Sequence, residues 1–306
     1  MKIIFFGTPD FAAEQLAYLL AHHFSIQAVV TQPDRPKGRS GELAPSEVKE
    51  LALQAGLPIL QPEKASDPNF LEELKKYSAD LYVVVAFGQI LPQKLLDQPP
   101  LGCINVHASL LPKYRGAAPM QRCLMDGVKE TGVAIQKMVK QLDAGDVIAE
   151  KKIEVPLDMN LAALKKTLCE VSKPLLASVI RAFEKGIPPA HPQDIEKVTF
   201  APKITPEECQ IDWKESAIQI HNKIRALSPR PGAWCWIEQD KVKKRLKILA
   251  TRLVSEAGSC LQFDRQRALI YCASEALELI EVQPEGKKTM AAGDWLRGIK
   301  GNIIFS

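Results

Sequence analysis

KIIFFGTPDF, residues 2–11, joins a short apolar run to a Gly-Thr-Pro turn and the start of a helical pattern. The run Lys2–Phe6 is too short for a signal peptide or a membrane span. Short and uninterrupted, it reads as a strand buried on both faces of a parallel sheet. Thr8 and Pro9 stand where the N-cap and first residue of a helix belong, and Phe11–His22 continues with helical spacing. The same unit recurs downstream. Ile26–Thr31, Asp80–Ala86 and Cys103–Val106 are further apolar runs, and Ser46–Ala55 is a further helical stretch. Alternation of this kind predicts a doubly wound, Rossmann-like α/β domain at the N-terminal end. Ligands of such a domain gather at the carboxyl ends of the strands.

The pattern changes after residue 185. Pro188, Pro189, Pro192, Pro202 and Pro206 break any regular element between Gly186 and Asp212, which reads as a connector. Beyond it, Lys214–Leu227 has helical spacing. Ala233–Glu238, Val242–Ile248, Ala268–Cys272 and Leu277–Val282 alternate apolar and polar residues. Several short strands separated by turn residues predict a small, OB-like β-barrel. The expected domains are 1–188, a linker at 189–208, and 209–306. The chain's 306 residues leave room for two ordinary cores. Its seven cysteines form no CxxC pair, and its five histidines show no metal-ligand spacing. That argues for reduced thiols in a cytoplasmic protein and for no metal. The net charge of +4 permits a polyanionic partner without requiring one.

GCINVHASLLPKYRGAAP, residues 102–119, carries the chemistry. On a strand, Asn105 and His107 project from the same face near its carboxyl end. An amide donor beside an imidazole suits an oxyanion developing on a carbonyl under attack. QLDAGD, residues 141–146, sets Asp143 in a polar turn between two apolar stretches. A carboxylate there can orient His107 and favour its imidazolium form.

NVHASLLPKYRG followed by LDAGD resembles the formyltransferase family that uses 10-formyltetrahydrofolate. Within it, the opening FFGTPDFA, the loop TQPDRPKGR at 31–39 and the continuation RGAAPMQR at 115–122 resemble the branch acting on methionyl-tRNA. IDW at 211–213 and PEGKKTM at 284–290 extend the likeness along nearly the whole chain. The resemblance implies a formyltransferase-type catalytic domain with Asn105, His107 and Asp143 as the catalytic trio. It implies a folate-binding wall from Phe87, Gly88, Gln89, Ile90 and Leu91 with Gln141 and Leu142, and with Ser109, Leu110, Leu111 and Pro112 nearby. It also implies a C-terminal domain that binds the initiator methionyl-tRNA. Separately, the short apolar opening run predicts no membrane association, and a monomer is expected. On the loop at 31–42, Arg35, Lys37 and Arg39 would approach the acceptor end. The chain departs from the family there, with Gly41 and Glu42 where two lysines are common. Lys243, Arg245 and Lys247 share one face of an alternating basic run and would meet phosphates.

Each piece also has a plainer reading. His107 alone suits a core histidine, Asn105 alone a strand edge, and the 241–247 run a solvated face. Ser109 with His107 and Asp143 invites a hydrolase triad, but the G-x-S-x-G elbow is missing, and Ser109 reads as a turn cap. Arg115 and Gly116 read as shaping the active-site loop. Transfer to an amino-sugar nucleotide, hydrolysis of the formyl donor, and RNA binding without catalysis are the competing functions. The intact trio argues against the last. The predicted barrel and the 31–42 loop favour tRNA over a small amine.

Overall fold

The computed structural model describes residues 1–36, 41–239 and 241–306. They form two compact units. The first comprises Met1–Gly116, Thr131–Ile153 and Lys165–Phe200; the second comprises Ala117–Glu130, Glu154–Leu164 and Ala201–Ser306. The division therefore does not run linearly through the Pro-rich connector, because two segments that precede it belong to the second unit.

The first unit opens with β1 (Lys2–Gly7), α1 (Asp10–Ala21), β2 (Ser25–Val30), α2 (Glu47–Gln54), β3 (Ile59–Leu60), α3 (Pro68–Lys75), β4 (Leu81–Val85), α4 (Gln93–Leu96) and β5 (Cys103–His107). After α5 (Pro119–Met125) come β6 (Glu130–Lys137), β7 (Val147–Glu154) and α6 (Leu161–Phe183). The sheet runs β3-β2-β1-β4-β5-β6-β7. Neighbours from β3 to β5 are parallel, as the uninterrupted apolar runs require. β6 departs from that expectation by pairing antiparallel with β5. Strand order reverses beside β1, which opens a crevice at the carboxyl ends of β1 and β4. Thr8 does not cap α1; its hydroxyl donates to the Phe87 carbonyl across that crevice, at 2.9 Å. Pro9 takes the N-cap position without a side-chain cap. Ser46 does cap α2, accepting from the Lys49 N–H.

The second unit contains α5 and continues with α7 (Ala217–Leu227), β8 (Ala233–Gln239), β9 (Val242–Val254), β10 (Phe263–Asp264), β11 (Leu269–Tyr271), β12 (Ala276–Pro284), β13 (Met290–Ala291), α8 (Ala292–Arg297) and β14 (Ile303–Phe305). Its antiparallel sheet runs β10-β11-β12-β9-β8-β14, with β13 on β12, and curls into a barrel-like form. β9 extends well past the expected Ile248. Its register against β12 shifts between Ile248 and Thr251, the irregularity that lets one long strand bend round a barrel. Trp213, Ile237, Leu246, Leu277 and Phe305 share the core inside.

Arg225 on α7 ties the early segments to this unit. Its guanidinium is buried and donates to the carbonyls of Leu124, Pro156 and Met159. Among the described residues, no helix is long and apolar enough to cross a membrane.

Candidate active site

Asn105 and His107 occupy alternate positions on β5 and so share a face. His107 is buried, and both ring nitrogens meet acceptor oxygens. Nε2 lies 2.9 Å from the Tyr114 carbonyl, to which it donates. Nδ1 lies 3.7 Å from Asp143 Oδ2. The trio expected from sequence is thus brought together, but with Nε2 held by the loop that follows β5. Asn105 is half-buried, and its amide has no hydrogen-bond partner among the described residues, so its donors remain available to a ligand.

Asp143 sits in the turn between β6 and β7 with φ of 47°, a left-handed conformation that Asp tolerates better than most residues. Its carboxylate is fixed from both sides. Oδ2 accepts from the Gly116 N–H at 2.9 Å, and Oδ1 accepts from Gln136 Nε2 at 3.0 Å. The turn itself needs Gly145, where an added Cβ would fall 1.7 Å from the Lys137 carbonyl oxygen.

Sequence reasoning missed two residues here. Gln136 is directly opposite Asn105 in the β5–β6 register. Gln193, from the connector, donates to the Asp143 and Gly145 carbonyls at 2.9 and 2.7 Å. It also accepts from Arg115 Nε and Nη2 at 3.1 and 2.8 Å. The buried Arg115 therefore clamps the connector to the turn that carries Asp143. The Asn105–Gln136 pairing was the signal available, but only once β6 is known to run antiparallel.

Asp143, alone of the trio, lines a cleft of about 170 Å³. Gln89, Ile90, Leu91, Gln141 and Leu142 of the expected folate wall line it, together with Gln136, Met138, Val139 and Asp143. Ile90 is 85% exposed and Leu142 59% exposed; apolar walls this bare suit a flat heteroaromatic ligand. Other members of that expected set sit elsewhere. Phe87 is in the core, with its ring edge-on to Phe6. Gly88 takes φ of 88° at the bend into the wall. Ser109 donates to the Lys113 carbonyl at 2.6 Å, a turn-closing bond. Leu111 is buried, ahead of a cis bond to Pro112, and Leu110 is half-buried, near Gly132. Burial pushes the Cys103 thiol on β5 well above its usual range, so it stays protonated and is no nucleophile. Among the described residues, no group of three or more His, Cys, Asp or Glu is placed to hold a metal.

The expected tRNA contacts are scattered. Arg35 is exposed and paired with Glu63 at 2.8 Å. Lys37 and Arg39 lie outside the described residues. Lys243, Arg245 and Lys247 follow one another along one face of β9.

Comparison with known proteins places the chain in a family. Residues 1–180 match the formyl transferase family, and residues 203–300 match the formyl transferase C-terminal domain. The methionyl-tRNA formyltransferase of Protochlamydia amoebophila is 47% identical over 99% of this chain and 97% of its own. That of Moorella thermoacetica is 43% identical over 99% of each. Two solved structures share the fold at low identity. One is an N-formyltransferase from Helicobacter canadensis with folinic acid and dTDP-3-aminofucose (TM-score 0.68, 18% identical, covering 91% of this chain and 99% of that one). The other is HypX from Aquifex aeolicus with tetrahydrofolic acid (TM-score 0.66, 16% identical, covering 99% and 48%). With both domains matched and relatives this similar along their full lengths, the chain belongs to the formyltransferase family.

Proposed function

We infer that the chain transfers the formyl group of 10-formyltetrahydrofolate to the α-amine of initiator methionyl-tRNA, giving the N-formylated product used to begin translation in the cytoplasm. The observation that carries this reading is the convergence of Asn105, His107 and Asp143 beside the bare apolar cleft. Full-length relatives that are methionyl-tRNA formyltransferases support the choice of acceptor.

The reduced folate supplies an activated formyl carbon. Ile90, Val139 and Leu142 would wall its flat ring system, with backbone edges at 138–142 reading its polar rim. The attacking group is the substrate's own neutral amine, so the protein needs no Ser or Cys nucleophile. As the new C–N bond forms, charge grows on the formyl oxygen. Asn105 donates to it, and His107 does so through Nε2 once the Tyr114 carbonyl gives up that bond. Asp143, fixed by Gly116 and Gln136, holds the Nδ1 side of the ring. It is also the nearest base for the proton the amine loses, which leaves with the folate nitrogen as the old C–N bond breaks. Holding two large substrates in register supplies much of the remaining rate.

The test is transfer from 10-formyltetrahydrofolate to methionyl-tRNA or to the same tRNA uncharged. Formyl should appear only on the charged tRNA. Asn105→Ala and His107→Ala should each cost on the order of 10²–10³ in turnover, with the double variant losing less than the product of the two. Transfer to uncharged tRNA, or full activity in either variant, would contradict the assignment.

A further inference from the structure

The outward face of β8 and β9 carries more than charge. Their register sets Trp234 opposite Lys247, Trp236 opposite Arg245, and Glu238 opposite Lys243. All of these therefore share one side of the sheet. Both indoles are half-buried, 5.4 Å apart and edge-to-face. The Arg245 guanidinium lies 4.2 Å from the centre of the Trp234 ring, and the Lys243 ammonium lies 5.2 Å from that of Trp236. Lys247 is tethered by donation to the Pro231 carbonyl at 2.7 Å. Contact with duplex phosphates explains the three cations but not the rings. A row of phosphates needs charge alone. Trp234 packs against the barrel core and holds the Arg245 guanidinium, whereas Trp236, half in water among cations, offers a π-face that packing does not explain.

We propose that Trp234 and Trp236, with Lys243, Arg245 and Lys247, form a stacking site for an unpaired nucleotide of RNA. The base lies on Trp236 beside the guanidinium plane that Trp234 holds flat. Lys243 swings from the ring to the adjoining phosphate, because its flexible stem is the easiest of the cations to displace. The proposal rests on the reading that the second unit meets tRNA. It adds that the element met there is unstacked and single-stranded, since a base within a duplex hides both faces.

The full chain is titrated with single-stranded hexa-adenylate, with an RNA duplex of equal length, and with tRNA, while tryptophan fluorescence is followed. The other two tryptophans, Trp213 and Trp295, are buried, so quenching reports on this face. Hexa-adenylate should bind more tightly than the duplex and quench. Trp236→Leu should lose about tenfold in hexa-adenylate affinity, roughly what one base–aromatic stack is worth, with the salt slope unchanged. Trp236→Phe, keeping a ring, should retain most of the binding and so separate stacking from misfolding. Lys243→Ala/Arg245→Ala should weaken every RNA and flatten the salt slope by about one unit, since Lys243 is the member of the pair that meets a phosphate. Equal affinity for single strand and duplex, unmoved by Trp236→Leu, would overturn the stacking site while leaving phosphate contact intact. Unchanged tRNA affinity and salt slope in the double basic variant would overturn the tRNA reading, and the stacking site with it.

Discussion

Asp143 carries its carboxylate on a left-handed backbone, with one oxygen on the Gly116 N–H and the other on Gln136. Asn tolerates that conformation as well as Asp does and can still accept from Gly116. Asp143→Asn therefore removes charge while leaving the turn in place. Turnover should fall at least tenfold, with affinity for folate and tRNA nearly unchanged. A variant keeping most of the wild-type rate would deny the carboxylate any part in the chemistry. The trio was legible in the sequence because strand alternation fixes Asn105 and His107 on one face, and a polar turn between apolar stretches singles out Asp143. Gln136 and Gln193 were not, because their roles depend on an antiparallel pairing and on the path of a connector, neither of which leaves a local pattern. Nor could residue types alone show that the Tyr114 carbonyl holds His107 Nε2.

Among the elements, α7 shows how a helix with an ordinary amphipathic pattern is fixed by polar groups. Ser216 and Gln219 form the capping box at its start. Buried on its face, His221 has Nε2 3.0 Å from the Leu157 carbonyl and Nδ1 2.9 Å from Thr251 Oγ1. A neutral ring satisfies both, donating at Nε2 and accepting at Nδ1. Burial holds the pKa of His221 below its ordinary value of 6.5. The unfolded chain therefore takes up the proton first as pH falls. The stabilisation is complete above 6.5 and is lost as pH drops through the lowered folded value. Urea midpoints measured from about pH 7.5 to about pH 5 should decline less steeply in His221→Gln than in wild type. Parallel slopes would show that His221 titrates alike in both states. The helix was legible from its spacing. The lengthening of β9 past Ile248 was not, since a bulge that bends a strand depends on its partner's register.

On the scale of the molecule, the α/β-then-barrel order was visible in the switch from apolar runs to short alternating strands. The interleaving of the two units was not. Segments 117–130 and 154–164 leave the first unit because their partners, Arg225 above all, arise far downstream. A fragment of residues 1–190 holds the proposed trio but strips those segments of what covers them, leaving Cys123 and Leu124 of α5 bare. It should therefore melt several degrees below the full chain and bind hydrophobic dye; equal stability without dye binding would show that the segments need no partner. The identity of the formyl acceptor is decided by competition between acceptors. The full chain, given 10-formyltetrahydrofolate with methionyl-tRNA and an amino-sugar nucleotide together, should place formyl on the tRNA with kcat/KM at least about a thousandfold higher. Comparable or preferred formylation of the sugar, or release of free formate with neither acceptor modified, would contradict the tRNA reading.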